Sequence, residues 1–115
     1  MHIRDFTIDE SSGVINDLRG TYLGAVEENT IYKNPYNGKY VKTGIDHLCE
    51  LGITHVHLMP IFDFGSVDER FPGSNNRNWG YDPKNFNVPE GSYCSNPYNP
   101  VTRILELRQM IMKFH

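Results

Sequence analysis

Thr43-Gly44-Ile45-Asp46-His47-Leu48-Cys49-Glu50-Leu51-Gly52-Ile53-Thr54-His55-Val56-His57-Leu58-Met59-Pro60 is the stretch that decides the fold class. Thr43 with an acid three residues on, Asp46 in place of the usual Glu or Gln, has the pattern of a capping box. Ile45, Leu48, Cys49 and Leu51 then mark one helical face, and Gly52 stands where helices favour a left-handed stop. Cys49 on that face reads as a small core residue rather than a reactive thiol. Ile53 to Met59 is rich in β-branched residues and halts at Pro60, the clearest strand in the chain.

Working outward from this unit, His2 to Ile8 holds the β-formers Ile3, Phe6, Thr7 and Ile8 and is expected to be a short strand. Asp9-Glu10-Ser11-Ser12-Gly13 is a turn by composition. Val14 to Lys42 shows no sustained period, and Asn34-Pro35-Tyr36-Asn37-Gly38 packs two turn signals into five residues. On the other side, Ile61 to Asn99 also lacks a period. Asn99-Pro100 then supplies a cap and a first-turn proline. Val101, Ile104, Leu105, Leu107, Ile111 and Phe114 follow at helical spacing, with Lys113 and His115 suited to the C-terminal end.

The order is strand, long connection, helix, one-residue turn, strand, long connection, helix. Parallel strands joined through helices make an α/β fold. Structureless connections beyond about 12–15 residues are uncommon and usually functional. In a (β/α)8 TIM barrel the strand-to-helix connections form the working face, whereas the opposite ones serve stability. The asymmetry predicts a partial (β/α)8 barrel, about two β–α units with long strand-to-helix connections. On this reading residues 1–115 are one incomplete barrel segment with no second domain, since a closed barrel takes about 250 residues. Unpaired strand edges and half-covered helices would then favour self-association.

Composition narrows the function classes. The 115 residues are 38% apolar with net charge −3, and the mean hydropathy is −0.52 with a pI near 5.9. Nothing in that balance favours nucleic acid or an anionic membrane as partner. No apolar run approaches the roughly 20 residues of a membrane span, and Met1-His2-Ile3-Arg4-Asp5 turns polar too early for a leader. Cys49 and Cys94 form neither a metal-ligand spacing nor a disulfide framework.

Two motifs could carry chemistry. Asn78-Trp79-Gly80-Tyr81-Asp82-Pro83 sets the only tryptophan and a tyrosine on either side of a glycine, with a carboxylate beside the second ring. As structure it is a loop pinned by a buried tryptophan. As function it is an aromatic platform with a polar neighbour, suited to a flat polar ligand such as a sugar. His55 and His57 share one face of the expected strand, and such a pair can hold a metal through neutral imidazoles. Without further ligands they are better read as a polar layer inside the sheet. Glycoside hydrolysis would need two facing carboxyl groups. Asp63, Asp68, Glu69, Asp82 and Glu90 lie in the second long connection; Asp68 and Glu69 are expected to be solvated, and Asp82 to be positioned. No nucleophile elbow, phosphate loop or dinucleotide fingerprint is present.

Asn78 to Pro83 resembles the Tyr-Asn-Trp-Gly-Tyr-Asp-Pro motif of type I pullulanases, the α-1,6-debranching members of the α-amylase superfamily. Arg77 stands where that motif usually has its first tyrosine. His2 to Phe6 looks like the family's first barrel strand, and Gly52 to Asp63 looks like the second. Asn85-Phe86-Asn87-Val88-Pro89-Glu90-Gly91-Ser92-Tyr93 and the last helix also fit, so nearly the whole chain is covered. The resemblance implies that Tyr81 stacks on the glucose ring next to the scissile bond, with Trp79 and Asp82 shaping its loop. It implies a retaining glycoside hydrolase acting on α-glucans such as pullulan, starch, glycogen or branched maltooligosaccharides. It also implies that the catalytic carboxylates lie outside this sequence, so the segment alone is expected to be inactive. No cofactor is indicated, although some superfamily members bind calcium. Two other classes compete: a stand-alone carbohydrate-binding module, and a metal-dependent hydrolase built on His55 and His57.

Overall fold

The computed structural model describes residues 1–69, 71 and 78–115. The first element is a helix, α1 (Ile3–Thr7), where a strand was expected. The His2 ring caps it, its Nδ1 accepting from the Asp5 amide at 3.2 Å. Ile3 and Thr7, four apart, point inward together, and Thr7 Oγ1 accepts from the Gly20 amide at 2.8 Å. The β-forming residues are thus spent on a helical face, because their partners lie to one side only.

A 3-10 turn at Glu10–Ser12 falls in the stretch expected to turn, and the connection expected to be irregular holds two more, at Asn16–Leu18 and Gly24–Val26. It ends in an antiparallel hairpin of β1 (Ile31–Lys33) and β2 (Tyr40–Lys42). The Asn34–Gly38 turn signals close that hairpin, with Asn34 Oδ1 accepting from the Tyr36 amide and Gly38 left-handed. The helix α2 (Gly44–Glu50) follows as expected, and Gly52 is left-handed at its end. The capping box is not made. Thr43 Oγ1 donates to the Ser12 carbonyl, and Asp46 Oδ2 accepts from the Asn29 amide. Both side chains bind the preceding connection instead of their own helix. Cys49 is exposed, not in the core, because the α2 face that packs is centred on Ile45.

Residues 53–59, expected to be a strand, join no sheet among the described residues. Their backbone bonds go to Met1: the Met1 amine donates to the His57 carbonyl at 2.5 Å, and the Met59 amide to the Met1 carbonyl at 2.8 Å. That alternation is the parallel ladder pattern. The sheets that do form are antiparallel and two-stranded. The second pairs β3 (Phe62–Phe64) with β4 (Pro83–Pro89), through a bulged register in which Asn87 is left-handed. The strand pairing among the described residues thus lies within the long connections, and the strands expected at residues 2–8 and 53–59 are not among it.

The last helix, α3 (Pro100–Phe114), starts as expected on an Asn99 cap and Pro100. Its buried face is not the expected one. Glu106 and Met110 are buried, whereas Val101, Ile104, Leu105 and Ile111 are exposed. Ion pairing decides the orientation. Arg103 forks onto Glu69 at 3.1 and 2.9 Å, and Glu106 accepts from the Ser95 amide at 3.0 Å. No described helix is long and apolar enough to cross a membrane.

The core centres on Tyr93, 1% exposed. Its ring meets His2, Tyr22 and Phe64 edge-on at 5.6–5.9 Å. Glu90 beneath it is fully buried, its carboxylate accepting from the Phe64 amide at 3.1 Å and the Ser92 amide at 2.9 Å. Tyr93→Ala is expected to cost about 3–5 kcal/mol, read by urea unfolding; a cost near zero would remove Tyr93 from the centre of the core. Burial raises the Glu90 pKa above its ordinary value. The folded value then exceeds the unfolded one, so stability from this group is present below the unfolded pKa and is lost as pH rises through the folded one. The stability advantage over Glu90→Gln is therefore expected to shrink as pH rises above the ordinary glutamate range. A gap that widens there would contradict it.

Candidate functional site

The loop from Asn78 to Pro83 leaves the described chain with both rings in solvent. Trp79 is 60% and Tyr81 70% exposed. Trp79 is therefore not a buried pin, and the loop is held by polar groups instead. Asn78 Oδ1 accepts from the Gly80 amide at 2.5 Å, and Asn78 Nδ2 donates to Asp82 Oδ1 at 2.7 Å and to Ser66 Oγ. The Asp82 carbonyl accepts from the Gly65 amide at 3.1 Å. These bonds, the Asn78 amide first and Ser66 second, hold the Asp82 carboxyl below its ordinary pKa. Asp82 is thus bonded through both its carboxylate and its carbonyl.

Gly80 anchors the loop from below. Its φ of +83° suits glycine, and a Cβ there would lie 2.4 Å from the Pro60 carbonyl oxygen. The loop thus rests on the Pro60 backbone. Tyr81 closes one side of an open groove of about 550 Å³ that runs along Met1 and residues His57 to Phe62.

His2 ties the loop to the core. Its Nδ1 accepts from the Asp5 amide, so the proton sits on Nε2. Nε2 then donates to the Asn78 carbonyl at 2.8 Å, with the Tyr93 hydroxyl 3.1 Å away. One face of the loop is therefore continuous with the buried cluster, and the other presents two aromatic faces to solvent.

The other candidates separate from this site. His55 and His57 are exposed rather than set in a polar layer. His55 Nδ1 is 2.8 Å from the Thr54 hydroxyl, a local contact. The acids that converge among the described residues are Asp63, Glu69 and Glu90, with ligand atoms within 4.8 Å of one another. They are occupied by the protein. Arg103 forks onto Glu69 and lies 3.6 Å from Asp63, Asn85 donates to Asp63 at 2.5 Å, and Glu90 serves two backbone amides. Glu69 is accordingly an ion-pair partner, not a solvated loop acid. Arg77 lies outside the described residues.

Asn78, Ser66 and His2 are the site residues that sequence reasoning passed over. Asn78 and Asp82 at a spacing of four could have signalled a loop clamp. Ser66 and His2 carry no such signal, because their roles come from contacts 12 and 76 residues away.

No family model matches the chain. Curated proteins and solved structures do. The pullulanase of Bacillus subtilis (strain 168) is 48% identical over 114 residues, covering 99% of this chain and 15% of that protein. Isoamylase 3, chloroplastic, of Oryza sativa subsp. japonica is 34% identical over 119 residues, covering 100% of this chain and 13% of that one. A crystal structure of the pullulanase from Paenibacillus barengoltzii, in complex with maltohexaose and alpha-cyclodextrin, superposes with a TM-score of 0.89 at 48% identity. It is matched over 100% of this chain and 17% of that one. The chain thus spans 13–17% of the length of the relatives named above. Along its whole length, in sequence and in structure, it is a segment of the pullulanase family of debranching glycoside hydrolases.

Proposed function

We propose that the chain supplies the sugar-stacking platform of a debranching glycoside hydrolase acting on α-1,6 branches of α-glucans. Tyr81 is the stacking ring, and Trp79 and Asp82 shape the loop that presents it. The observation that carries this reading is the Tyr81 ring, 70% exposed on a loop whose backbone is bonded on both sides, at the Gly80 amide by Asn78 and at the Asp82 carbonyl by the Gly65 amide. An aromatic face held rigid in water suits the apolar face of a glucose ring, and its hydroxyl tip suits the polar rim. The solved relative bound to maltohexaose supports an α-glucan as the ligand.

Residues 1–115 form, on this reading, one incomplete segment of a (β/α)8 barrel. The parallel bonding of Met1 with the 57–59 backbone supports that placement. So does the exposed apolar stripe Val101, Leu105 and Ile111 on α3, which a larger body would cover. The working carboxylates lie elsewhere in such a barrel, and retaining hydrolysis through a glycosyl-enzyme belongs to the whole enzyme. The segment alone is inactive.

The test is a graft. The 115 residues replace their counterpart in the Bacillus subtilis pullulanase, and cleavage of pullulan is measured. Cleavage is expected to persist, and Tyr81→Ala in the graft to lower kcat/KM by roughly 10²-fold, as for a lost positioning contact. Turnover unaffected by Tyr81→Ala would refute the role of that ring. Tight calorimetric binding of maltotriose to the 115 residues alone would favour a free-standing carbohydrate-binding module instead.

A further inference from the structure

Tyr81 and Trp79 are exposed, so neither is oriented by packing around its own ring. Something else must fix the direction in which the platform faces. Asn78 is placed to do this. Its side-chain amide has one acceptor and two donors, and each is used. The acceptor takes the Gly80 amide at 2.5 Å, one donor reaches Asp82 Oδ1 at 2.7 Å, and the other reaches Ser66 Oγ. The orientation of the amide is forced. A flip would set Nδ2 against a backbone N–H and Oδ1 against a carboxylate. The Asn78 main chain is fixed separately, by His2 from the buried cluster at 2.8 Å.

We propose that Asn78 is the positioning residue of the platform: its amide ties the Gly80 backbone amide on one side of Tyr81 to the Asp82 carboxylate on the other, and so sets the ring's direction toward the sugar. The sugar half of this statement rests on the function proposed above; the staple itself does not. No other standard side chain of this length offers an acceptor and two donors in one plane. Aspartate keeps the acceptor but turns a carboxylate oxygen onto Asp82. Two ionised carboxylates at that spacing repel, and they share a proton once the solution is acid enough. Among the described residues, the titratable groups that meet this loop are Asp82 and, through the Asn78 carbonyl, His2 with Tyr93 behind it.

The experiment uses the 115-residue chain, Asn78→Ala and Asn78→Asp. Protection of the Gly80 amide against hydrogen exchange, corrected for the intrinsic rate, is read without sugar. Maltotriose is then titrated with Trp79 fluorescence as the signal. The wild type is expected to protect Gly80 and to bind with little change from about pH 4 to about pH 7. Asn78→Ala is expected to lose about tenfold in both readouts at either pH. Asn78→Asp is expected to lose the same near pH 7 and to recover near pH 4, when the new carboxyl can donate to Asp82. A merely structural role would not produce recovery of affinity on acidification. Gly80 protection equal in all three chains would overturn the proposal, as would a maltotriose affinity unchanged by both substitutions. If the exchange pattern holds and Asn78→Ala leaves pullulan cleavage by the graft described above unchanged, the staple stands and the sugar reading falls.

Discussion

Tyr93 holds together parts of the chain that no sheet connects. Its ring meets His2 from the N-terminal cap, Tyr22 from the first long connection and Phe64 from β3. Its carbonyl accepts from the Tyr22 amide at 2.8 Å, while the Tyr22 hydroxyl donates to the Glu90 carbonyl at 3.1 Å. Two-stranded sheets and one-turn helices are marginal by themselves. In this chain the aromatic edges, at distances where such pairs attract, substitute for a continuous ladder. Burial drives the pKa of both tyrosines upward, so the hydroxyls stay neutral and remain donors.

Glu90 extends the same logic to a charge. A fully buried carboxylate is tolerable only when its oxygens are satisfied. Here they accept from the amides of Phe64 and Ser92, and the Glu90 amide itself donates to the Ile61 carbonyl at 2.9 Å. The junction of β3, β4 and the following turn is thereby fixed to one geometry. Two consequences reach the working surface. His2, held against Tyr93, presents Nε2 to the Asn78 carbonyl. Pro60, just before β3, presents its carbonyl where only a glycine can pass. The exposed rings of Trp79 and Tyr81 thus inherit their position from groups that never touch solvent.

The last helix shows why hydrophobic spacing alone misplaces a face. The apolar residues of α3 spread around more than one side. Arg103 and Glu106 also find strong partners in Glu69, Ser95 and the carbonyls of Pro89 and Pro97. Charge-assisted bonds at a sheltered surface outweigh the pull of a few aliphatic side chains. Met110, Leu107 and Phe114 pack inward, and the rest of the stripe faces out.

What the sequence determined by itself is what depends on neighbours within a few positions. Asn99 and Pro100 start a helix, Gly52 ends one, and Asn34 to Gly38 turn the chain. The aromatic bend at Asn78 to Pro83 was legible too, as was the family it resembles. Only the tertiary structure decided the rest. Thr43 left its own helix for Ser12, 31 residues away, and His2 reached Asn78 across 76. Residues 3–7 became a helix because Ile3 and Thr7 had partners on one side, and Trp79 lay open because polar groups, not its own burial, held the loop. Caps and turns are settled by backbone geometry that each residue carries with it. The direction of a polar side chain is settled by the partner that satisfies it, and that partner is known only once the chain has folded.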